Sequence, residues 1–180
     1  TGGPAFVSAV QSAIDTQPLD TRQFSSIFGQ GRSDYANLIA AGVPSVFFTD
    51  STGPCYHTTG DDLSVVDFGK LEQQISIARE LALQLASGAL TPTFTAAPTA
   101  VFSDAVVLDA LIQLALADID RFSPTDQSTI LDTAATMAAV VAAGEGAFAG
   151  NLVTTLISAQ TLVSLLSTGE CDGFLPPPPP

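Results

Sequence analysis

His57 is the only histidine in this 180-residue chain, and it lies in the run Cys55-Tyr56-His57-Thr58-Thr59-Gly60-Asp61-Asp62. That set suits zinc. A neutral imidazole is a ready ligand, and a phenol and carboxylates nearby can orient its second nitrogen. Taken alone, a solitary histidine in a Gly/Asp loop serves structure more often than catalysis. Its address adds interest, because the loop follows a run of strand formers and precedes a long helical pattern. Ligand-bearing loops of α/β proteins lie at such strand ends. The two cysteines, Cys55 and Cys171, are far apart and form no Cys-x-x-Cys motif. They are free buried thiols, or they pair with each other or with a cysteine on another segment; any bridge requires an oxidising compartment.

Local signals define the elements that must position this loop. Residues 4–16 read as a short helix with Phe6, Val10, Ala13 and Ile14 on one face. Residues 20–32 have no clear period and read as loop. Ser33 is an N-cap for a helix over 34–41, which Gly42 ends at its C′ position. Pro44 blocks continuation, and Ser45-Val46-Phe47-Phe48-Thr49 follows as a run of strand formers. An apolar run without alternation suits a strand covered on both faces, as in a parallel α/β sheet. Asp67 then caps a helix over 68–87, with Leu71, Ile75, Ala78, Leu81 or Ala82, and Leu85 on its apolar face.

Composition divides the chain into an α/β region (1–88), a Thr/Pro/Ala-rich linker (89–102), a helical block (103–175) and a polyproline tail (176–180). The helical block reads as three helices. Ser103 caps the first, which runs through Arg121. Ser123 caps the second, with Pro124 at N1 and Asp126 at N3, and Gly144 stops it. Asn151 caps the third, which Gly169 stops. Val106, Val107, Leu108, Leu111, Ile112, Leu114 and Leu116 cover so much of the first helix that the block is expected to pack on something besides itself.

Five basic residues against eighteen acidic ones give a formal charge of −13, which repels phosphate backbones and makes nucleic acid an unsuitable partner. The apolar windows 105–117 and 152–166 are shorter than a bilayer span and are interrupted by Asp109, Gln113, Thr154 and Gln160, so no membrane span is expected. Thr1-Gly2-Gly3-Pro4 is not a signal peptide, and the chain reads as starting mid-protein or after processing. Few basic residues among many Thr, Ser and Ala suggest an exported protein, extracellular or periplasmic.

Three stretches in order carry a resemblance: Gly31-Arg32-Ser33-Asp34-Tyr35-Ala36, then Ile39-Ala40-Ala41-Gly42-Val43-Pro44, then Cys55-Tyr56-His57-Thr58 with Asp61. Together they resemble the C-terminal third of co-catalytic zinc aminopeptidases, the secreted bacterial leucyl aminopeptidases related to glutamate carboxypeptidases. The match covers roughly residues 5–87. It implies the C-terminal part of a zinc-exopeptidase-like α/β sandwich, with a partial sheet and covering helices, followed by a helical extension. By position, His57 matches the family's last metal ligand and Tyr56 its oxyanion-stabilising tyrosine. Arg32 matches a residue beside the pocket for the substrate's free amino group. Phe48 lies on the side-chain pocket wall, or is plain strand core. Cys55 matches a cysteine that some relatives bridge to one just after the histidine, a position that here holds Gly60 or Asp61.

The implied cofactor is a pair of zinc ions and the implied substrate a peptide. The family's remaining ligands come from an upstream His-x-Asp, a bridging Asp and a Glu-Glu pair, and this chain has one histidine and no Glu-Glu pair. The expectation is therefore a chain inactive alone, completed by the N-terminal portion of the same precursor or by a partner chain. The alternative is a non-catalytic extracellular module that reuses the scaffold and self-assembles through its apolar helices.

Overall fold

The computed structural model describes residues 1–49, 53–95 and 99–166. All regular elements among them are helices: α1 (Gly3–Ile14), α2 (Tyr35–Ala40), α3 (Phe68–Ala86), α4 (Phe102–Ala117), α5 (Pro124–Ala143) and α6 (Phe148–Leu166), with short 3-10 turns between. The chain separates into two compact units, Thr1–Thr49 with Asp67–Thr99, and Asp50–Val66 with Ala100–Pro180. The expected tail at 176–180, the stop at Gly169 and part of the linker lie outside the described residues.

The α/β sandwich with a partial sheet is overturned, since no strand occurs among the described residues. Residues 45–49 carry the strand-forming sequence, yet they run irregularly, with Val46, Phe47 and Phe48 exposed. The reason is physical. A strand exists only as one side of a hydrogen-bonded ladder, and no other strand occurs among the described residues to supply the other side.

Local signals account for three of the helix boundaries. Asp67 accepts a hydrogen bond from the Lys70 N–H at 2.9 Å and starts α3. At α2 the Val43 N–H donates to the Leu38 carbonyl and the Gly42 N–H to the Ile39 carbonyl, both at 2.9 Å. That paired closure needs a left-handed residue, and Gly42 has φ +75°. Ser123 accepts from the Asp126 N–H at 3.2 Å, with Pro124 opening α5.

Several expected boundaries shift, the largest at α4, which ends at Ala117 rather than running through Arg121; Ile119–Arg121 is a separate 3-10 turn. Tyr35 starts α2, one residue later than expected, with Asp34 at the cap position. Ser103 lies inside α4, where Asp104 at N3 reaches back to accept from the Val101 N–H at 2.7 Å. Asn151 lies inside α6 and donates to the Ala147 carbonyl at 3.2 Å, because the turn Glu145–Ala147 already leads into the helix.

In the first unit, Phe6, Ala9, Val10, Ala13 and Ile14 of α1 form a buried core with Ile77 and Leu81 of α3, and Leu90 packs against it. Ala9 and Ala13 let the helices approach closely. The seam shares Leu81 with the expected face of α3 but otherwise departs from it. Ile77 and Leu81, one turn apart, are buried, whereas Leu71, Ile75 and Leu85 are exposed, as is Phe68. Helix α3 thus carries two apolar faces, and α1 covers one.

The second unit contains α4, α5 and α6, each in contact with the other two. Leu108 and Ile112, Ile130 and Met137, and Thr155 make its most deeply buried layers. Thr155 is tolerated because its hydroxyl donates to the Asn151 carbonyl at 3.0 Å. By length and composition the stretch Glu145–Leu165, with mean hydropathy 1.3, could cross a membrane, contrary to the expectation from residues 152–166. One face of it packs on α4 and α5, with Thr155 and Ser158 buried, while Val153 and Ile157 are exposed.

The α3 seam makes a direct prediction. Ile77 is 1 % exposed and Ile75 58 %. Ile77→Ala is expected to destabilise the first unit by ~2–4 kcal/mol, and Ile75→Ala in the same chain by less than ~0.5 kcal/mol. Hydrogen exchange of the α1 and α3 amides measures both.

Candidate functional site

Tyr56 and His57 occupy a turn in the second unit. The Tyr56 N–H donates to the Gly53 carbonyl at 3.1 Å, and the Thr58 N–H to the Cys55 carbonyl at 3.0 Å. The Thr58 hydroxyl donates to the same Cys55 carbonyl at 2.7 Å, and the Gly60 N–H to the Thr58 hydroxyl at 3.2 Å. His57 sits at φ +61°, in the left-handed region that a non-glycine residue seldom adopts. Such a conformation persists only where its surroundings impose it; Gln30, which ends the turn Ser26–Gly29, has one too, at φ +55°.

The turn displays both rings side by side. The phenol of Tyr56 and the imidazole of His57 stack with centroids 4.0 Å apart and planes 30° from parallel. Both side chains are exposed, Tyr56 to 43 %. Just downstream, Asp62 caps the turn Leu63–Val65 by accepting from the Ser64 N–H at 2.8 Å. Hydrogen bonds from the Ser64 side chain and backbone hold the Asp62 carboxyl below the ordinary carboxylate value. Asp62 is thereby committed to the turn.

Arg32 and Phe48 fall in the first unit. Arg32 is exposed and follows the turn Ser26–Gly29. Phe48 is 39 % exposed, so it is not the strand core that one reading of the sequence gave. The structure therefore brings Tyr56 and His57 together in one turn and leaves Arg32 and Phe48 in the other unit. Cys55 is buried and disulfide-bonded, and Cys171 lies outside the described residues.

Tyr35 was not singled out by its sequence context, yet it organises the Arg32 loop. It is buried, its hydroxyl accepts from the Gly31 N–H at 2.7 Å, and its ring lies 5.0 Å from that of Phe47. A Cβ at Gly29 would overlap that hydroxyl. The two glycines four and six residues before the tyrosine were the available signal.

The residues present do not fit a metal centre. A catalytic zinc takes three protein donors. His57 offers one, and no group of three or more His, Cys, Asp or Glu converges among the described residues. A shallow groove of about 230 Å³ between α5 and α6 is lined by threonines, including Thr133, Thr136 and Thr161. Those three hydroxyls each donate to a backbone carbonyl of their own helix, and Asp132 supplies the one carboxylate of the lining.

Residues 4–82 match the family model described as Peptidase family M28. No curated protein and no solved structure matches the chain. The matched segment contains Arg32, Phe48, Tyr56 and His57, and it supports a relationship to the co-catalytic zinc peptidases, which are generally zinc-dependent.

Tyr35→Phe removes only the oxygen that accepts from Gly31. It is expected to lower the stability of the first unit by ~1 kcal/mol and to speed exchange of the Gly31 amide. Chemical denaturation with amide exchange tests it; an unchanged Gly31 rate would show that the hydroxyl does not hold the loop.

Proposed function

We propose that this chain supplies the closing part of a secreted zinc-dependent aminopeptidase site, and that an upstream segment of the same precursor or a partner chain supplies the rest. The observation that carries the reading is the exposed Tyr56–His57 pair, held on a strained turn inside the segment that matches Peptidase family M28. In the completed site His57 is one metal ligand. The Tyr56 hydroxyl donates a hydrogen bond to the substrate oxygen that gains charge as the peptide carbonyl becomes tetrahedral. Arg32 lies beside the free amino group and Phe48 on the wall of the side-chain pocket. The substrate is a peptide cleaved at its first bond.

Two features of the first unit support completion by another polypeptide. Residues 46–48 expose strand-forming apolar side chains, and Phe68, Leu71, Ile75 and Leu85 leave the second apolar face of α3 uncovered. A strand laid beside 45–49 and a layer packed on α3 would satisfy both. The disulfide at Cys55 supports an oxidising compartment, extracellular or periplasmic.

A non-catalytic, self-assembling module is the second reading. Leu114, Leu131, Val153 and Ile157 are exposed on α4, α5 and α6 and favour it. Homogeneous self-association without a partner chain would support that alternative.

The purified 180-residue chain is expected to hydrolyse no leucine anilide; chelator-sensitive hydrolysis by it alone would defeat the proposal. In the completed enzyme, His57→Ala should lose metal and activity together. Tyr56→Phe should keep its metal and KM while losing on the order of a hundredfold in kcat. A wild-type kcat for Tyr56→Phe would remove the tyrosine from the reaction.

A further inference from the structure

Tyr35 opens α2 and is buried, whereas Gln30 through Asp34 just before it are exposed. The two ends of its side chain hold different pieces of the first unit. At one end the hydroxyl accepts from the Gly31 N–H at 2.7 Å, and the Arg32 N–H donates to the Gly29 carbonyl at 3.2 Å. The loop that carries Arg32 is thus closed on the phenol oxygen, with Gln30 and Gly31 in left-handed backbone at φ +55° and +68°. A Cβ at Gly29 would overlap that oxygen, so the fit has no slack. At the other end the ring lies 5.0 Å from the ring of Phe47, with the planes 31° apart. The run 45–49 belongs to no helix or ladder. Its first residue is held by the Ser45 N–H donating to the Thr1 hydroxyl at 2.9 Å, and the Phe47–Tyr35 contact holds it two residues further on. A hydrogen bond and an aromatic contact are both short-ranged, so a shift of this one ring weakens both.

We infer that Tyr35 is a positioning residue that ties the Arg32 loop to the 45–49 run, so that one buried side chain sets the places of Arg32 and Phe48 together. The coupling stands on geometry alone. Its consequence for the substrate rests on the proposed aminopeptidase reading, in which Arg32 lies beside the free amino group and Phe48 on the wall of the side-chain pocket. Recognition of the amine and recognition of the first side chain are then linked, and Tyr35 acts on both through its neighbours.

Phe47→Ala in the full 180-residue chain separates the two contacts, because it removes the ring partner and leaves the Tyr35 hydroxyl in place. Phe47 is exposed, so the substitution empties no core. Exchange of the Gly31 amide is expected to rise on the order of fivefold, while the α5 amides keep their rate. Gly29→Ala approaches from the other side: its Cβ displaces the hydroxyl, and the NMR signals of the Phe47 ring protons are expected to move. An unchanged Gly31 rate in Phe47→Ala, or unmoved Phe47 signals in Gly29→Ala, would overturn the coupling. In the completed enzyme, Tyr35→Phe should raise KM for leucine anilide roughly tenfold and hold kcat within about threefold. It should also narrow the kcat/KM ratio between leucine and alanine anilides. A merely structural role lowers the amount of active enzyme, which scales both substrates equally and leaves KM alone; that outcome would remove Tyr35 from substrate positioning. A completed wild-type enzyme that hydrolyses neither anilide would defeat the aminopeptidase reading, and the Gly31 and Phe47 results would still decide the coupling.

Discussion

Residues 46–48 bear three large apolar side chains that a pleated sheet would cover on both faces, and their backbone groups call for a neighbouring strand. Much of the molecule follows from that demand being unmet. The segment stays irregular, its side chains remain exposed, and the second apolar face of α3 is left uncovered in the same compact unit. The α1–α3 seam nevertheless forms, because it joins two helices that satisfy their own backbones and need only a complementary apolar stripe. A fold can be self-sufficient in its helices and dependent in its sheet for this reason.

The same division runs through the chemistry. Tyr56 and His57 are adjacent in sequence, so one tight turn suffices to bring their rings together. A metal centre needs donors from separate elements, and the described residues gather no such group. The residues proposed for the site therefore separate into a pair that is locally arranged and others, Arg32 and Phe48, that belong to the first unit. The match to a zinc-dependent peptidase family and the lack of a converging ligand set agree if the site is shared between polypeptide segments.

Some helix ends were legible from a contact that spans three or four residues. Asp67 with Lys70, Ser123 with Asp126, and Gly42 after α2 are of that kind. Ser103 misled because Asp104, one residue on, makes the stronger acceptor for the Val101 N–H. The strand at 45–49 was misread for the opposite reason. Its propensity is real, but a ladder is nonlocal and the sequence of one strand cannot supply its neighbour. On α3 the periodicity found Leu81 but missed Ile77, and it placed on the buried face Leu71, Ile75 and Leu85, which are exposed. His57 and Tyr56 were legible as a motif, whereas the left-handed backbone at His57 was not. The role of Tyr35 depended on a hydrogen bond to Gly31 that no periodicity marks.

Zinc stoichiometry tests the shared site most directly. Elemental mass spectrometry is applied to the isolated 180-residue chain after exhaustive dialysis, and to the particle purified from its natural source. The account predicts less than one equivalent retained by the isolated chain, and about two per chain in the native particle together with a second polypeptide segment that supplies the other ligands. Two tightly held zinc ions in the isolated chain would contradict it, as would a native particle free of zinc.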